Sequence, residues 1–299
     1  MAKLAIDNRY CRPKLSKDDI IEIIDGRHPL AEKQMDVFVP NSTQLSNQTG
    51  KVHLLTGPNF SGKSIYLKQV GLITFMAHLG SFVPATSAII GVVDFIGTRI
   101  RSFDSQSVTE SSFILDSQQV AGMLKAATSK SLLLFDEYGK GTNTIDGASL
   151  MGGILRYFSN SNSASPKVIA TSHFAELITG SHVPESNILK MFRMDVHSAS
   201  NSESFNNTSL TYLYRMVPGH CIDSFSFHCA LYSGLALEIV ERAKTVADSF
   251  RSNKLIKPIG KTDAFCVKVC KDLLSLNLND CDIMEFIKKA SELAKRRFT

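Results

Sequence analysis

The residues with the clearest chemistry are eight consecutive ones that form a phosphate-binding loop. They read Gly57-Pro58-Asn59-Phe60-Ser61-Gly62-Lys63-Ser64, which is the pattern G-x-x-x-x-G-K-S. In such a loop the glycines let backbone N–H groups surround the β-phosphate, the lysine binds the β- and γ-oxygens, and the serine hydroxyl can coordinate Mg²⁺. The loop therefore predicts binding of a nucleoside triphosphate.

The residues around this loop have the order that such a loop requires. Lys51 to Thr56 form a short, mostly apolar run that is typical of a buried strand. From Ile65 to Leu79 apolar residues recur at the dense spacing of a largely buried helix, and Gly80 is a suitable helix stop. The predicted order of strand, loop and helix makes a chance match to the motif improbable.

An acidic pair follows the second predicted strand. This strand covers 131–135 and leads directly into Asp136-Glu137. Beside a bound triphosphate, the first carboxylate can hold Mg²⁺, and the second can orient or deprotonate the attacking water. Two adjacent acids therefore favour hydrolysis over passive nucleotide binding.

Two further polar groups are candidates for contacts with phosphate. The third predicted strand, 167–171, leads into Ser172-His173, where a γ-phosphate sensor would lie. A single histidine is more often structural than functional, so this assignment depends on the other motifs. Ser111 and Ser112 precede a helix predicted over 114–126, which they could cap, although serines begin many helices.

The composition is that of an ordinary globular protein. The 299 residues are 43% hydrophobic and 20% charged. No segment approaches the roughly 18 apolar residues of a membrane span, and the N-terminus does not resemble a secretory signal. We therefore expect a soluble, intracellular protein without a membrane partner. The net charge of +5 permits binding to nucleic acid without requiring it.

The six cysteines form no C-x-x-C motif and are most simply reduced thiols. A zinc site built from His220-Cys221 and His228-Cys229 is an alternative, but its spacing matches no common zinc module.

The motifs together resemble the ATPase domain of the MutS family. The resemblance rests on the loop Gly57 to Ser64, on the segment from Asp136-Glu137 to Asp146-Gly147, and on Arg27-His28-Pro29. The family pattern is Gly-Pro-Asn-x-x-Gly-Lys-Ser for the loop and Asp-Glu-x-Gly-[Arg/Lys]-Gly-Thr for the acidic segment. Within this family, segments 38–43, 63–77, 139–144 and 256–258 are most similar to the eukaryotic meiotic subfamily of MutS homologue five.

The resemblance implies the fold class and its division along the chain. We expect an α/β fold, a P-loop NTPase of the ABC-ATPase type, with a mostly parallel sheet flanked by helices. Residues 1–25 would end a preceding region, and 26–250 would form the ATPase domain. Residues 251–299 would form a linker and a C-terminal helical dimerisation hairpin, with helices near 263–275 and 281–297. Polar segments 44–50 and 159–165 are predicted to be loops.

The resemblance also assigns roles to the motif residues. Phe38 would stack on adenine, and Asn59 and Lys63 would contact the γ-phosphate. Ser64 and Asp136 would hold Mg²⁺, and Glu137 would activate the attacking water, with His173 as the second catalytic candidate. The complete nucleotide-binding set is Phe38, Gly57, Pro58, Asn59, Phe60, Ser61, Gly62, Lys63, Ser64 and Ile65.

Two segments depart from the family pattern. The family usually has Gly-x-Ser-Thr-Phe where this chain has Thr109-Glu110-Ser111-Ser112-Phe113. Ser111, with Ser112, would act on the nucleotide of the other subunit, but a carboxylate at Glu110 would repel a phosphate there. The family's Ala-Thr-His is Ala-Thr-Ser-His here, so either Ser172 or His173 holds the sensor position.

The implied function is that of a meiotic DNA clamp with ATP and Mg²⁺ as cofactors. The chain would pair with MutS homologue four, bind recombination intermediates such as Holliday junctions, and promote crossing over on meiotic chromosomes in the nucleus. It would be a DNA-dependent ATPase with slow turnover. DNA would be held mostly by regions outside this chain, which we therefore expect to be part of a longer protein. The alternatives are a mismatch-repair MutS homologue and a largely non-catalytic, ATP-gated scaffold.

Overall fold

The computed structural model describes residues 2–100, 112–160, 164–174, 176–179, 183, 185–199, 209–223, 225–252, 269, 271 and 286–291. The chain divides into two units, Met1–Tyr232 and Ser233–Thr299. The described helices of the first unit are α1 (Ala2–Asp7), α2 (Lys63–His78), α3 (Ser112–Ala126), α4 (Thr144–Asn160), α5 (Glu176–Thr179) and α6 (Ser226–Tyr232). Its described strands are β1 (Lys14–Ser16), β2 (Ile21–Gly26), β3 (Asn41–Leu45), β4 (Val52–Thr56), β5 (Ser87–Gly91), β6 (Ile96–Arg99), β7 (Leu132–Asp136), β8 (Lys167–Thr171), β9 (Leu189–Ala199) and β10 (Ser209–Pro218).

A six-stranded sheet carries the predicted motifs. Its order is β10-β9-β4-β8-β7-β6, and every neighbouring pair is parallel except β10 with β9. Every residue of β4, β7 and β8 is buried, as expected for parallel strands covered on both faces. Because these three strands are parallel, the phosphate-binding loop, the acidic pair and Ser172-His173 all follow strands at the same edge of the sheet.

A second, four-stranded sheet was not foreseen. Its order is β1-β5-β2-β3, with one parallel and two antiparallel pairs. The apolar residues Ile20, Ile21, Ile23 and Ile24 follow a polar segment and predict a strand or edge element, which β2 confirms. The prediction that 44–50 is entirely a loop is wrong at its start, because Gln44 and Leu45 belong to β3. Alternate residues of β3 are buried, so the exposed Ser42 and Gln44 alternate with the buried Asn41, Thr43 and Leu45.

Helix α2 lies between the two sheets and is therefore buried on several sides. One apolar cluster joins Ile21, Ile23 and Leu45 of the four-stranded sheet to Leu67, Val70 and Ile73 of α2, and to Leu134 and Ile169 of the six-stranded sheet. This placement explains why apolar residues recur so densely along α2. It also fixes the start of α2, and with it the phosphate-binding loop, on a rigid support.

Helices α3, α4 and α5 cover the opposite face of the six-stranded sheet. Their apolar residues, including Met123, Met151 and Leu177, form one cluster with Leu54, Phe135 and other residues of the sheet. The predicted solvated loop 159–165 is wrong at both ends. Helix α4 continues to Asn160, and Ser165 is fully buried. The Ser165 carbonyl accepts a hydrogen bond from the Lys51 ammonium at 3.2 Å.

The second unit contains α7 (Leu237–Arg251), and residues 286–291 are also helical. Charged and apolar residues mix at helical spacing from Leu235 to Phe250, which predicts a helix, and α7 confirms it. Most of the two tail helices predicted near 263–275 and 281–297 lies outside the described residues, so the dimerisation hairpin remains a prediction. Within the described part of the chain, no helix is long and apolar enough to cross a membrane.

Candidate active site

The phosphate-binding loop connects β4 to α2 and is held in shape by its own hydrogen bonds. The Ser61 hydroxyl donates to the Pro58 carbonyl at 2.7 Å, and the Lys63 ammonium donates to the Gly57 and Pro58 carbonyls at 2.9 Å each. Gly62 precedes α2 with φ of 96°, a conformation that glycine adopts without strain. The loop is therefore already formed, with the N-terminal N–H groups of α2 available to an anion.

Two loop residues face solvent and are well placed to meet a ligand. Asn59 and Phe60 are exposed, the Phe60 side chain by 77%. Phe60 also has φ of 63°, which is strained for a residue other than glycine. Backbone strain of this kind is often found at ligand-binding loops.

Asp136 lies at the centre of a small group of oxygen atoms. Its Oδ1 atom accepts hydrogen bonds from the Ser64 hydroxyl at 3.0 Å and from the Thr171 hydroxyl at 2.7 Å. The side chain is only 8% exposed. The structure therefore brings together Ser64 and Asp136, the two predicted magnesium ligands, although 72 positions separate them.

These oxygen atoms are suited to Mg²⁺. Mg²⁺ prefers carboxylate and hydroxyl oxygens and usually takes only one or two protein ligands, together with phosphate and water. Ser64 and Asp136 would hold it here, and Thr171 would orient the carboxylate. By contrast, no group of three or more His, Cys, Asp or Glu side chains in the described residues could hold a metal. The described cysteines, Cys11, Cys221 and Cys229, are free thiols.

Glu137 is the next residue and lies between two lysines. Its Oε1 is 3.6 Å from the Lys63 ammonium, and its Oε2 is 2.9 Å from that of Lys140. Burial acts to raise the pKa of Glu137, but the hydrogen bond from Lys140 and the charges of Lys63, Lys140 and His173 outweigh it and lower this pKa. The carboxylate is therefore ionised near neutral pH, as a general base must be.

Lys63 is 5% exposed and carries its charge in a confined space. Burial lowers the pKa of Lys63, while the charges of Glu137 and Asp136 oppose that effect. A triphosphate entering the loop would supply further negative charge beside this ammonium group.

The two residues that follow β8, Ser172 and His173, differ in how exposed they are. The Ser172 side chain is 1% exposed, and its Oγ accepts a hydrogen bond from the Phe174 N–H at 3.0 Å. His173 is half-buried, packs against the Phe174 ring at 4.5 Å, and lies close enough to Glu137 to affect its pKa. Of the two candidates for the sensor position, His173 is therefore the one beside the acidic pair.

Phe38 and Tyr214 belong to two segments that Asn41 connects. The Asn41 amide donates to the Tyr214 carbonyl at 2.8 Å, and its Oδ1 accepts from the Met216 N–H at 2.7 Å. Tyr214 has φ of 53° at an irregularity in the β9–β10 pairing. Its ring carbon Cδ1 would lie 3.5 Å from a Cβ placed on Gly62, and the side chain is 43% exposed. The exposed ring of Tyr214 thus borders the phosphate-binding loop. Phe38, the predicted adenine contact, is half-buried.

Of the two predicted signature serines, Ser111 lies outside the described residues. Ser112 begins α3, but nothing of its side chain is described. The helix itself is fixed to this sheet by an ion pair between Arg99 and Asp116 and by a 2.7 Å hydrogen bond from Gln119 to the Thr98 carbonyl.

Three residues of this site were missed as functional candidates. Thr171 could have been found from strand order alone, because it pairs in register with Asp136 on the neighbouring strand. Lys140 was noted only as part of the acidic segment that resembles the family pattern. Tyr214 gave no sequence signal, because its position depends on the pairing of β9 and β10, which fold back onto the loop.

Comparison with known proteins agrees with this geometry. The profile of MutS domain V matches residues 53–251, which include most of β4, the phosphate-binding loop, the acidic pair and His173. The chain belongs to the MutS family. The matched region is the ATPase domain of that family, so this fold, the loop and the acidic pair all fit one assignment.

Several curated MutS proteins are similar over most of this chain. MutS protein homolog 5 of Saccharomyces cerevisiae is 40% identical over 82% of the chain and 30% of that protein. The DNA mismatch repair protein MutS of Caldicellulosiruptor saccharolyticus is 39% identical over 82% of the chain and 28% of that protein. The protein of the same name from Clostridium beijerinckii is 38% identical over 82% of the chain and 26% of that protein. The chain thus spans less than a third of the length of these MutS relatives.

The position of Tyr214 leads to a prediction about nucleotide affinity in this MutS domain. We expect Tyr214→Ala to raise the Kd for ATP about tenfold, because stacking of a base on an aromatic ring contributes roughly 1–3 kcal/mol. Tyr214→Phe is the matched control and should keep the wild-type Kd. Titration with a fluorescent ATP analogue would measure both. An unchanged Kd for Tyr214→Ala would show that the ring does not contact the base.

Proposed function

We propose that this chain is the ATP-binding and ATP-hydrolysing domain of a meiotic MutS-type DNA clamp. The observation that supports hydrolysis most directly is the convergence of Lys63, Glu137 and Asp136 at one end of the sheet. The meiotic assignment is supported by 40% identity to MutS protein homolog 5 of yeast and by the motif segments that are similar to that subfamily. The fold would be of the ABC-ATPase type.

Each residue of the site would have a definite role in hydrolysis. Lys63 and the N–H groups at the start of α2 would bind the phosphates, which places the γ-phosphate near Glu137. Bound Mg²⁺, held by Ser64 and Asp136, would neutralise charge on the phosphates. Glu137 would accept a proton from the attacking water, and His173 would contact the γ-phosphate beside it. Phe38 and Tyr214 would hold the base, and Asn59 would contact the γ-phosphate.

The partner in this proposal is MutS homologue four. Nucleotide would lie between the loop of one subunit and the signature serine of the other, which is Ser111, with Ser112, in this chain. The C-terminal region 251–299 would add a dimerisation hairpin. The assembled protein would act in the nucleus on meiotic chromosomes, where it would bind Holliday junctions or related recombination intermediates. Most of the contacts with DNA would come from regions outside this chain.

A mismatch-repair function is the second candidate, and one observation favours it. The bacterial DNA mismatch repair protein MutS is almost as similar to this chain as MutS protein homolog 5 of yeast, at 39% against 40% identity. Sequence identity in the ATPase domain therefore does not by itself distinguish the meiotic function from mismatch repair. A scaffold that binds ATP without turning it over is the third candidate, and Glu110 before the signature serine favours it.

ATP hydrolysis on mixing with a partner domain tests these candidates. The chain would be mixed with the ATPase domain of MutS homologue four or, separately, with that of a mismatch-repair MutS protein. Each mixture would be assayed with and without Holliday-junction DNA. The meiotic proposal predicts that turnover and ATP-dependent association appear only with MutS homologue four. If the chain associates only with the mismatch-repair domain, the meiotic proposal is overturned. If the chain associates with a partner domain but hydrolyses ATP no faster than its Glu137→Ala variant does, the scaffold is favoured. Lys63→Ala is the control that should remove nucleotide binding.

A further inference from the structure

Two lysines interact with the carboxylate of Glu137, each with a different oxygen. Lys63 lies 3.6 Å from Oε1, on the side of the phosphate-binding loop. Lys140 lies 2.9 Å from Oε2, which is within hydrogen-bonding distance. The two ammonium groups also differ in surroundings, because the Lys63 side chain is 5% exposed and that of Lys140 is 40% exposed.

The backbone that carries Lys140 is firmly packed. Gly139 has φ of 92°, and its carbonyl oxygen lies so close to Gly147 that a Cβ on Gly147 would overlap it. Tyr138 is 4% exposed, and its hydroxyl lies 3.2 Å from that of Ser117 on α3. Lys140 therefore projects from a loop that is fixed against α4 on one side and anchored through Tyr138 on the other.

The backbone of Glu137 is also held in place. Its N–H is 3.1 Å from the Thr171 hydroxyl and 3.2 Å from the Thr171 carbonyl, and its φ is 49°. These contacts fix the Cα atom but leave the direction of the carboxylate to its ion pairs. Among the described residues, the cations that form such pairs with Glu137 are Lys63 and Lys140.

Nucleotide binding must change the balance between these two lysines. Lys63 is held by Glu137 and by the carbonyls of Gly57 and Pro58. A triphosphate in the loop would attract the Lys63 ammonium more strongly than one carboxylate does, because the phosphates carry several negative charges. Oε1 would then lose its cation and become free to accept a proton, whereas Oε2 would keep its hydrogen bond.

From this arrangement we infer that Lys140 is a positioning residue for Glu137, which holds Oε2 while Oε1 faces the attacking water. The inference rests on the proposed function, in which Glu137 is the general base. Lys140 acts through Glu137 and need not touch the nucleotide. Its ammonium would keep the carboxylate in one rotamer at the time when Lys63 has moved to the phosphates.

The test is steady-state ATP hydrolysis by the full chain mixed with its partner ATPase domain, comparing Lys140→Met with Lys140→Arg. Lys140→Met keeps the length of the side chain but removes the charge, and we expect kcat to fall about 10- to 100-fold, part of the roughly 10²- to 10⁴-fold contribution of a general base. The KM for ATP should stay within about twofold because Lys63 still binds the phosphates. Lys140→Arg should restore most of the lost kcat. Lys130→Met, at an exposed turn before β7, is the matched control and should behave as the wild type.

The same assay in a Glu137→Gln background shows whether Lys140 acts through Glu137. In that background Lys140→Met should cause no further loss of kcat, because the side chain that Lys140 positions, now a glutamine, is no longer a base. An equal loss in both backgrounds would overturn the inference, as would wild-type kcat for Lys140→Met or a change confined to KM. If the wild type itself does not exceed Glu137→Gln, the proposed hydrolysis fails, and the inference fails with it. Circular dichroism of each variant would identify a loss that comes from unfolding.

Discussion

Replacing Glu137 by glutamine is expected to lower kcat by about 10²- to 10⁴-fold, the usual contribution of a general base. Glutamine has nearly the same shape as glutamate, so the loop and the neighbouring backbone should be unchanged. It cannot accept a proton from water near neutral pH, and its amide would no longer form ion pairs with Lys63 and Lys140. The measurement is steady-state hydrolysis of ATP by the chain mixed with its partner domain.

ATP binding should survive this substitution, and that difference separates catalysis from binding. Loss of the carboxylate removes negative charge beside Lys63, so the Kd for ATP should be unchanged or slightly lower. Glu241→Gln, on the exposed side of α7, is the matched control and should have wild-type kcat. Equal turnover by wild type and Glu137→Gln would argue against this catalytic site and for the non-catalytic scaffold.

Replacing Asp19 by asparagine is expected to reduce the free energy of unfolding by about 3 kcal/mol, near the lower end of values for broken buried ion pairs. Asp19 contacts both Lys51, at 2.5 Å, and Lys167, and these two lysines are 1% and 0% exposed. The variant would leave two buried ammonium groups without their shared carboxylate. Because Asp19 itself is partly exposed, the loss should not exceed that of a fully buried pair.

Urea denaturation would measure this loss, and its pH dependence gives a second check. Burial acts to raise the pKa of Asp19, but the hydrogen bonds and charges of Lys167 and Lys51 hold it below its usual 3.8. The stabilisation is therefore fully present above pH 3.8 and is lost as the pH falls through the lower, folded-state pKa. The difference between wild type and Asp19→Asn should shrink below about pH 4. Asp18→Asn, at an exposed neighbouring position, should leave stability unchanged at all these pH values.

The sequence was most informative where one short segment carries both the fold and the chemistry. The loop Gly57 to Ser64 specifies its strand, its turn and its helix start within a few residues, and the structure shows β4 and α2 on either side of it. The pair Asp136-Glu137 follows a run of apolar residues that could only be a buried strand. The α/β arrangement could be predicted for the same reason, since strands and helices alternate along this part of the chain.

The sequence was less informative where polar residues form regular structure or are buried. Gln44 looked like part of a loop because its neighbours are polar, yet β3 pairs with β2 and only alternate residues of it are buried. Ser165 looked solvated for the same reason, but its carbonyl accepts a hydrogen bond from Lys51. In both cases a contact with a distant segment decides the environment, and local composition carries no signal of it.

The sequence by itself determined the family, the phosphate-binding loop and the acidic pair, because each depends on residues that are adjacent in the chain. Only the tertiary structure decided which groups surround them. Parallel pairing of β7 with β8 brings the Thr171 hydroxyl into hydrogen-bonding contact with Asp136. The fixed loop before α4 brings Lys140 into an ion pair with Glu137. The return of β10 places Tyr214 beside Gly62. These contacts depend on strand order and register, which are set by burial of apolar surface across the whole domain.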